Sequence, residues 1–391
     1  MGERIKQALT VCQLLPALDG GGVEQGTLEI AAALVHADQR SLVISAGGRL
    51  LSELVSGGSE HFSWPIGRKS PFTLRLVTRL RRLLLTEGVD ILHARSRMPA
   101  WIAWLAWRGM DPATRPRFVT TVHGLYSVKA YSAIMLRGER IIAVSGHVRD
   151  YVLQHYPGVD AGRIVVIPRG VDVDRYHRSY RPDDVWMTAW RQQYTVLEDR
   201  YVVTLPGRVS RRKGVLDLIR IITDLQARGV AAHGLIVGEL PNRSHRLAKE
   251  LQAAIAVAGL AGSITQTGFR DDVREIMSVS SVVLSLSQHP EAFGRTVNEA
   301  LALGVPVAGY AHGGVEEQLI KHFPAGLVPP GDVDAMAERL FAWSATSPSM
   351  QGVQVHALQD MLDSTLALYR EMGGSGRNAS RHTPVFPGLS K

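Results

Sequence analysis

Short apolar runs alternate along the chain with longer stretches in which apolar positions recur at helical spacing. In the first half, "ALTVCQLL", "SLVIS", "VDILHA", "RFVTTVHG", "RIIAVS" and "RIVVIPRGVD" predict strands. Between them, "GVEQGTLEIAAALVHA", "PFTLRLVTRLRRLLLTEG", "PAWIAWLAWRG" and "GHVRDYVLQHY" predict helices. In the first of these, Leu28, Ala31, Ala32 and Val35 fall on one side. Strands alternating with helices of this length predict parallel βαβ units, an α/β fold with helices on both sheet faces. A polar, arginine-rich stretch follows, with a short helix near "VWMTAWRQQY". The alternation then restarts at "YVVTLPG" and runs through "HGLIVGE", "SITQTG", "SVVLSLS", "PVAGY" and their intervening helices to a last helix, "VQVHALQDMLDSTLALYREM".

This pattern predicts a first Rossmann-like domain over residues 1–173, a connection over 174–200 and a second Rossmann-like domain over 201–352. A helix over 353–372 and a tail over 373–391 complete the chain, the tail having too few apolar residues to pack. Open parallel sheets bind ligands beyond the carboxyl ends of their strands, so two such domains face to face predict a site in the cleft between them.

The 391 residues suffice for two cores of ordinary size, and 45% hydrophobic with 20% charged residues fits a soluble globular protein. A single cysteine, Cys12, excludes a disulfide framework and a cysteine-based zinc site and suits a reducing, cytoplasmic setting. "ALTVCQLLPAL" meets Pro16 and Asp19 and lacks a small-residue cleavage site, so no secretory signal is expected. No apolar stretch approaches the ~18 residues of a membrane span. The net charge of +8 favours an anionic partner: a nucleotide, a nucleic acid, an acidic lipid surface or a phosphorylated glycan. Motifs that stack nucleobases are missing, so nucleic acid is not expected.

Four features at predicted strand ends carry candidate chemistry. "LDGGGVEQG" places three glycines, Gly20 to Gly22, after the first strand, where the backbone can approach a bulky ligand and a helix start can meet an anion. It is not a dinucleotide fingerprint, because Gln25 stands where the third glycine belongs; a tight turn alone explains it equally well. "VTTVHGLY" sets His123 at a sheet's carboxyl edge, and by itself a satisfied buried histidine accounts for it. "LPGRVSRRKG" puts Gly207, Arg208 and Lys213 in a loop leading into a helix. Cations there oppose the helix dipole unless an anion sits between them, and a diphosphate fits. "HPEAFGRTVNEALALGVPV" holds Glu291 in a loop and Glu299 about one turn into a helix expected to begin at Val297. So placed, the two carboxylates suit two hydroxyl-bearing ends of one ligand better than one acid/base pair. Backbone N–H groups near Gly294 to Thr296 would hold phosphates between them.

These motifs, in this order, resemble the retaining GT-B glycosyltransferases of family 4. "EAFGRTVNE" is similar to the family signature, "GRVSRRKG" to its phosphate loop, "HGG" at 312–314 to its later glycine turn, "GGGVEQG" to its N-terminal glycine loop and "IPRGVDVDRY" to the segment closing its first domain. "HARSRMPAW" and "TTVHGLYSVK" further resemble bacterial members that extend the lipopolysaccharide core. The resemblance spans residues 10 to 345. It implies a nucleotide-sugar-dependent hexosyltransferase acting with retention on a glycan or glycolipid, with the last helix returning to the N-terminal domain. Glu291 would bind sugar hydroxyls and Glu299 the ribose, while Arg208 and Lys213 would neutralise the diphosphate. His123 would lie near the donor sugar, and Gly21, Gly22, Gly207, Arg270, Phe293, Gly294, Arg295 and Thr296 would line the donor site. Arg95, Arg97, Tyr126 and Lys129 are the acceptor-side candidates. Asp172-Val173-Asp174 spells a DxD but sits at the domain junction, so it is assigned to the hinge, and neither metal nor cofactor is expected. A sugar-nucleotide epimerase or a phosphorylase of the same architecture is the alternative.

Two surfaces complete the reading. In "GRKSPFTLRLVTRLRR", Phe72, Leu76, Val77, Leu80 and Leu84 fit one helical face and Arg75, Arg79 and Arg82 the other. This is either an ordinary solvated face or a surface for a phosphorylated glycan or an anionic lipid membrane on the cytoplasmic side. Trp101, Trp104 and Trp107 recur every three residues, and at least two are expected in the core.

Overall fold

The computed structural model describes residues 8–240 and 245–374. Thirteen strands form two parallel sheets among these residues. The first contains β1 (Thr10–Leu14), β2 (Arg40–Ser45), β3 (Glu60–Ser63), β4 (Ile91–Ala94), β5 (Arg117–Val122), β6 (Arg140–Ala143) and β7 (Ile164–Val166), in the order β3-β2-β1-β4-β5-β6-β7. The second contains β8 (Tyr201–Pro206), β9 (Ala232–Val237), β10 (Ile264–Gly268), β11 (Val282–Ser285), β12 (Val307–Tyr310) and β13 (Leu327–Val328), in the order β10-β9-β8-β11-β12-β13. Both sheets are doubly wound and Rossmann-like. The strand order reverses between β1 and β4 in one and between β8 and β11 in the other, and such switch points open ligand crevices.

The helices are α1 (Gly22–His36), α2 (Leu51–Ser56), α3 (Leu76–Thr86), α4 (Arg97–Arg108), α5 (Gly146–His155), α6 (Asp184–Gln193) and α7 (Val215–Ala227). They continue with α8 (His245–Val257), α9 (Val273–Ser278), α10 (Arg295–Ala302), α11 (Gly313–His322), α12 (Val333–Ala345) and α13 (Leu358–Gly374). Central strands such as β1 and β9 are buried on both faces, which explains why apolar residues do not alternate with exposed polar ones along them. Around β8, β11 and β12 the core gathers Val203, Leu218, Ile222, Leu284, Val297, Leu301 and Met336, so helices α7, α10 and α12 are anchored by their apolar faces. The chain divides into two compact units, residues 8–121, 134–141 and 364–374 in one and 122–133 and 142–363 in the other. Among the described residues no helix is long and apolar enough to cross a membrane.

Several local expectations change. The sequence reading missed α2 and β3. Strand β3 is an edge whose Glu60 and Ser63 are exposed, so it lacks an apolar run. Helix α1 buries Thr27, Leu28, Ile30, Ala31 and Leu34, a face rotated from the predicted one. Helix α4 buries Ala100, Ile102, Ala103 and Ala106, leaving all three of its tryptophans only half-buried. Arg115 lies 3.5 Å over Trp107, Arg108 5.3 Å over Trp104, and Trp107 Nε1 donates to the Pro116 carbonyl, so the indoles sit where their polar edges and faces find partners. Phe72 does not join the buried face of α3, which is Leu80, Leu83 and Leu84; it is 69% exposed, beside Arg75. In α13, Tyr369 is buried and its hydroxyl lies 2.6 Å from His93 Nδ1. Gly373 and Gly374 close α13; the rest of the expected tail, 375–391, lies outside the described residues.

Candidate functional site

At the β8/β11 switch point the loops after the two strands converge. Beyond β8, Gly207 adopts φ +124°, and a Cβ there would lie 3.6 Å from Lys213 Cε, so the lysine stem passes over a glycine. The turn Arg211–Lys213 is capped by Ser210, whose Oγ accepts from Lys213 N–H. Gly214, at φ +74°, opens α7; a Cβ on it would collide with the Leu286 carbonyl at 2.2 Å. Only glycine allows this approach, and it aims Lys213 at the loop after β11.

There Lys213 Nζ forms an ion pair with Glu291 Oε1, and Ser287 Oγ donates to the same oxygen. The side chains are 33% and 14% exposed. Burial works to raise the Glu291 pKa. The Lys213 charge and hydrogen bond, the Ser287 hydrogen bond and the charge of Arg212 outweigh it and hold the carboxyl below its ordinary range. The Glu291 backbone is clamped as well. Gly314 N–H donates to its carbonyl at 2.7 Å, and Gly313, at φ +67°, approaches so closely that a Cβ would lie 2.6 Å from the Glu291 oxygen. His312 Nε2 lies 2.6 Å from the Ser287 carbonyl. The "HGG" turn is therefore the wall behind Glu291. The sequence reading missed Ser287 as part of this site and gave His312 no role beyond its place in "HGG"; a small polar residue at the strand tip four positions before Glu291 was the available signal.

Gly294, at φ +83°, is the N-cap of α10, which begins at Arg295, two residues before the expected Val297. Glu299 faces Arg295, with Nε and Oε1 3.5 Å apart. The two carboxylates are thus held by different cations. Burial, helped by the Glu299 charge, pushes the nearby Tyr176 phenol up to about 12. Gln318 Nε2 donates to the Phe293 and Gly294 carbonyls and fixes the turn between the glutamates. Thr296 is half-buried in the first turn of α10, and Arg208 is exposed.

Three of the expected site residues have partners within the protein. Phe293 is 6% exposed and packs on His356, so its ring belongs to the core. Arg270 forms a two-point ion pair with Asp272, which also accepts from Trp186 Nε1, so this guanidinium is committed to a cluster around the α6 tryptophans. Arg95 does not reach out of β4: it is 1% exposed, its N–H donates to the Leu14 carbonyl and its Nη1 donates to Gln13 Oε1. Burial lowers its pKa to about 10 against the opposing charges of Tyr369, Glu29 and Glu24.

In the first unit, Gly20 and Gly21, at φ +142° and +136°, lead into α1 at Gly22; a Cβ on Gly21 would meet the Glu24 carboxylate at 2.8 Å. Arg97 opens α4. In the second unit, His123 Nδ1 lies 2.5 Å from Arg169 Nη2. The His123 backbone N–H reaches the Tyr126 hydroxyl, and the Tyr126 carbonyl accepts from Tyr151, while Lys129 is exposed. Asp172 Oδ1 accepts from the N–H groups of Asp174 and Arg175, a local turn.

Residues 20–175 match the family model for Glycosyltransferase Family 4, and residues 187–351 match that for Glycosyl transferases group 1. The chain belongs to the group 1 glycosyltransferases of GT-B type. The chain is 32% identical over 180 residues to 2-deoxystreptamine glucosyltransferase of Streptomyces kanamyceticus, covering 45% of this chain and 44% of the relative. It spans about half the length of this relative and of the 2-deoxystreptamine N-acetyl-D-glucosaminyltransferase of Streptomyces fradiae. A glycosyltransferase from Rickettsia africae is 28% identical, with a TM-score of 0.83 over 93% of this chain and 98% of that one. The Anabaena protein Alr3699/HepE, solved with UDP and glucose, is 20% identical and shares the fold at a TM-score of 0.77 over 93% and 100% of the two chains.

Proposed function

We propose that this glycosyltransferase moves a hexosyl unit from a nucleotide-diphosphate sugar to a hydroxyl of a glycan or glycolipid acceptor, with retention of anomeric configuration. The observation that carries the reading is the Lys213–Glu291 pair at the β8/β11 switch point, beside the glycine-capped start of α10. A diphosphate needs fixed positive partners as its negative charge grows in the transition state, and Lys213 with the exposed Arg208 supplies them in place of a metal. Sugar hydroxyls need an acceptor held ionised, and Glu291 is one. The positive end of the α10 dipole, opening at Gly294, suits phosphate oxygens between Glu291 and Glu299. In the front-side path, the bond from the anomeric carbon to phosphate oxygen breaks as the acceptor oxygen attacks the same face. The acceptor proton passes to the departing diphosphate. The finer role, in lipopolysaccharide or other cell-envelope glycan synthesis at the cytoplasmic face of a membrane, is supported by the resemblances of "HARSRMPAW" and "TTVHGLYSVK". The exposed Phe72 and Leu74 beside Arg75 and Arg79 fit an anionic lipid surface.

The test is to incubate the protein with UDP-, GDP- and ADP-hexoses in excess chelator, follow release of nucleoside diphosphate, and assign the anomeric configuration of the product by NMR. Turnover with one donor, lost in Lys213→Ala and Glu291→Ala, is expected. An epimerised nucleotide sugar as the sole product, or a strict need for a divalent metal, would overturn the reading.

A further inference from the structure

The proposed donor chemistry leaves one contact unused. Arg169 follows β7 in "IPRG" and is 6% exposed. Its Nη1 rests 3.7 Å from Met361 Sδ, and its Nη2 lies 2.5 Å from His123 Nδ1. A guanidinium stays protonated and has only N–H groups, so at this contact it is the donor and His123 Nδ1 must present its lone pair. With Nδ1 accepting, the ring proton of a neutral imidazole resides on Nε2. A proton on Nδ1 would set N–H against N–H, and a ring protonated on both nitrogens would also press two cations together. Arg169 is buried, so this contact does not compete freely with bulk solvent.

We propose that Arg169 is a positioning residue that holds His123 as the neutral Nε2–H tautomer, so that His123 serves the reaction as a hydrogen-bond donor to an oxygen of the bound sugar and not as a proton acceptor. This rests on the glycosyl-transfer reading only for the identity of the sugar; the tautomer itself is a property of the free protein. It also separates transfer from epimerisation, which requires a base at the sugar, whereas here Nδ1 is occupied and Nε2 already carries its proton.

The tautomer is read directly by long-range proton–nitrogen correlation NMR on the full chain labelled with 15N-histidine, the His123 signals being assigned by their loss in His123→Gln. The expected pattern is a protonated Nε2 with a hydrogen-bonded, unprotonated Nδ1 at neutral pH. A proton on Nδ1, or on both nitrogens, overturns the proposal, and it does so whether or not any donor is turned over. Two variants extend the test. Arg169→Lys keeps a cationic donor and is expected to preserve the Nε2–H pattern and turnover within about threefold of wild type. Arg169→Gln, which can accept as well as donate, is expected to admit the other tautomer and lower kcat at least about tenfold with donor KM nearly unchanged. If Arg169→Lys and Arg169→Gln lose activity equally while both keep the wild-type tautomer, Arg169 is merely structural and the proposal falls.

Discussion

Replacing Lys213 by methionine strands the Glu291 carboxylate. The methionine keeps the stem volume, so the perturbation is the lost charge and hydrogen bond. Breaking a fully buried ion pair costs about 3–5 kcal/mol, whereas an exposed one is worth about 0.2–1. With side chains 33% and 14% exposed and Ser287 still donating, this pair falls between those limits, at about 2 kcal/mol. For a folding unit of this size that corresponds to a drop in melting temperature of roughly 4–8 °C. Thermal unfolding at pH 7 and low salt, followed by circular dichroism, measures it. Glu291→Gln should cost less, because it leaves a lysine that can still reach water. The double variant should cost less than the two added together, giving a coupling of about 1–2 kcal/mol. The pH dependence fixes the sign. Glu291 is held below its ordinary pKa, so its contribution is fully present above the unfolded value of about 4.3 and is lost as pH falls through the lower folded value. The gap between wild type and Lys213→Met should therefore close in acid. A coupling under about 0.3 kcal/mol, or a gap that persists in acid, would refute the account of Lys213 as the partner that keeps Glu291 ionised.

Two further outcomes are expected. Gly313→Ala places a Cβ 2.6 Å from the Glu291 carbonyl at a positive φ, so it should destabilise by about 1–3 kcal/mol and weaken donor binding in a calorimetric titration; unchanged melting and affinity would sink the clamp. His233 is buried beside Thr265, and burial, with the charge of Arg200, lowers its pKa to about 4. The unfolded chain takes up that proton first, near pH 6.5, so stability should fall as pH drops from about 6.5 toward 4, by on the order of 2 kcal/mol from this residue. Urea midpoints should show a shallower acid slope in His233→Gln, and an identical slope would contradict the burial argument.

Much of the site was legible because its signals are local. A glycine-bounded basic loop after one strand and a glutamate–glycine–glutamate turn after another are readable as loop and helix start, and both occupy the predicted carboxyl ends. The Arg270–Asp272 pair was also within reach, two residues apart at a strand exit. Other features involve partners distant in sequence and were out of reach: Gln13 under Arg95, 82 positions away, His356 against Phe293, and the 312–314 turn against Glu291.

By itself, the order of apolar runs and breaks settled that this chain alternates strands and helices in two α/β halves, because strand and helix periodicities are local properties of neighbouring side chains. It also settled which loops lie at strand tips. Tertiary structure alone decided which charges neutralise one another, since Lys213 meets Glu291 across 78 positions and Arg169 meets His123 across 46. Pairing follows from strand order and from glycines that admit close approach, and those are set by packing the whole sheet, not by any window of sequence.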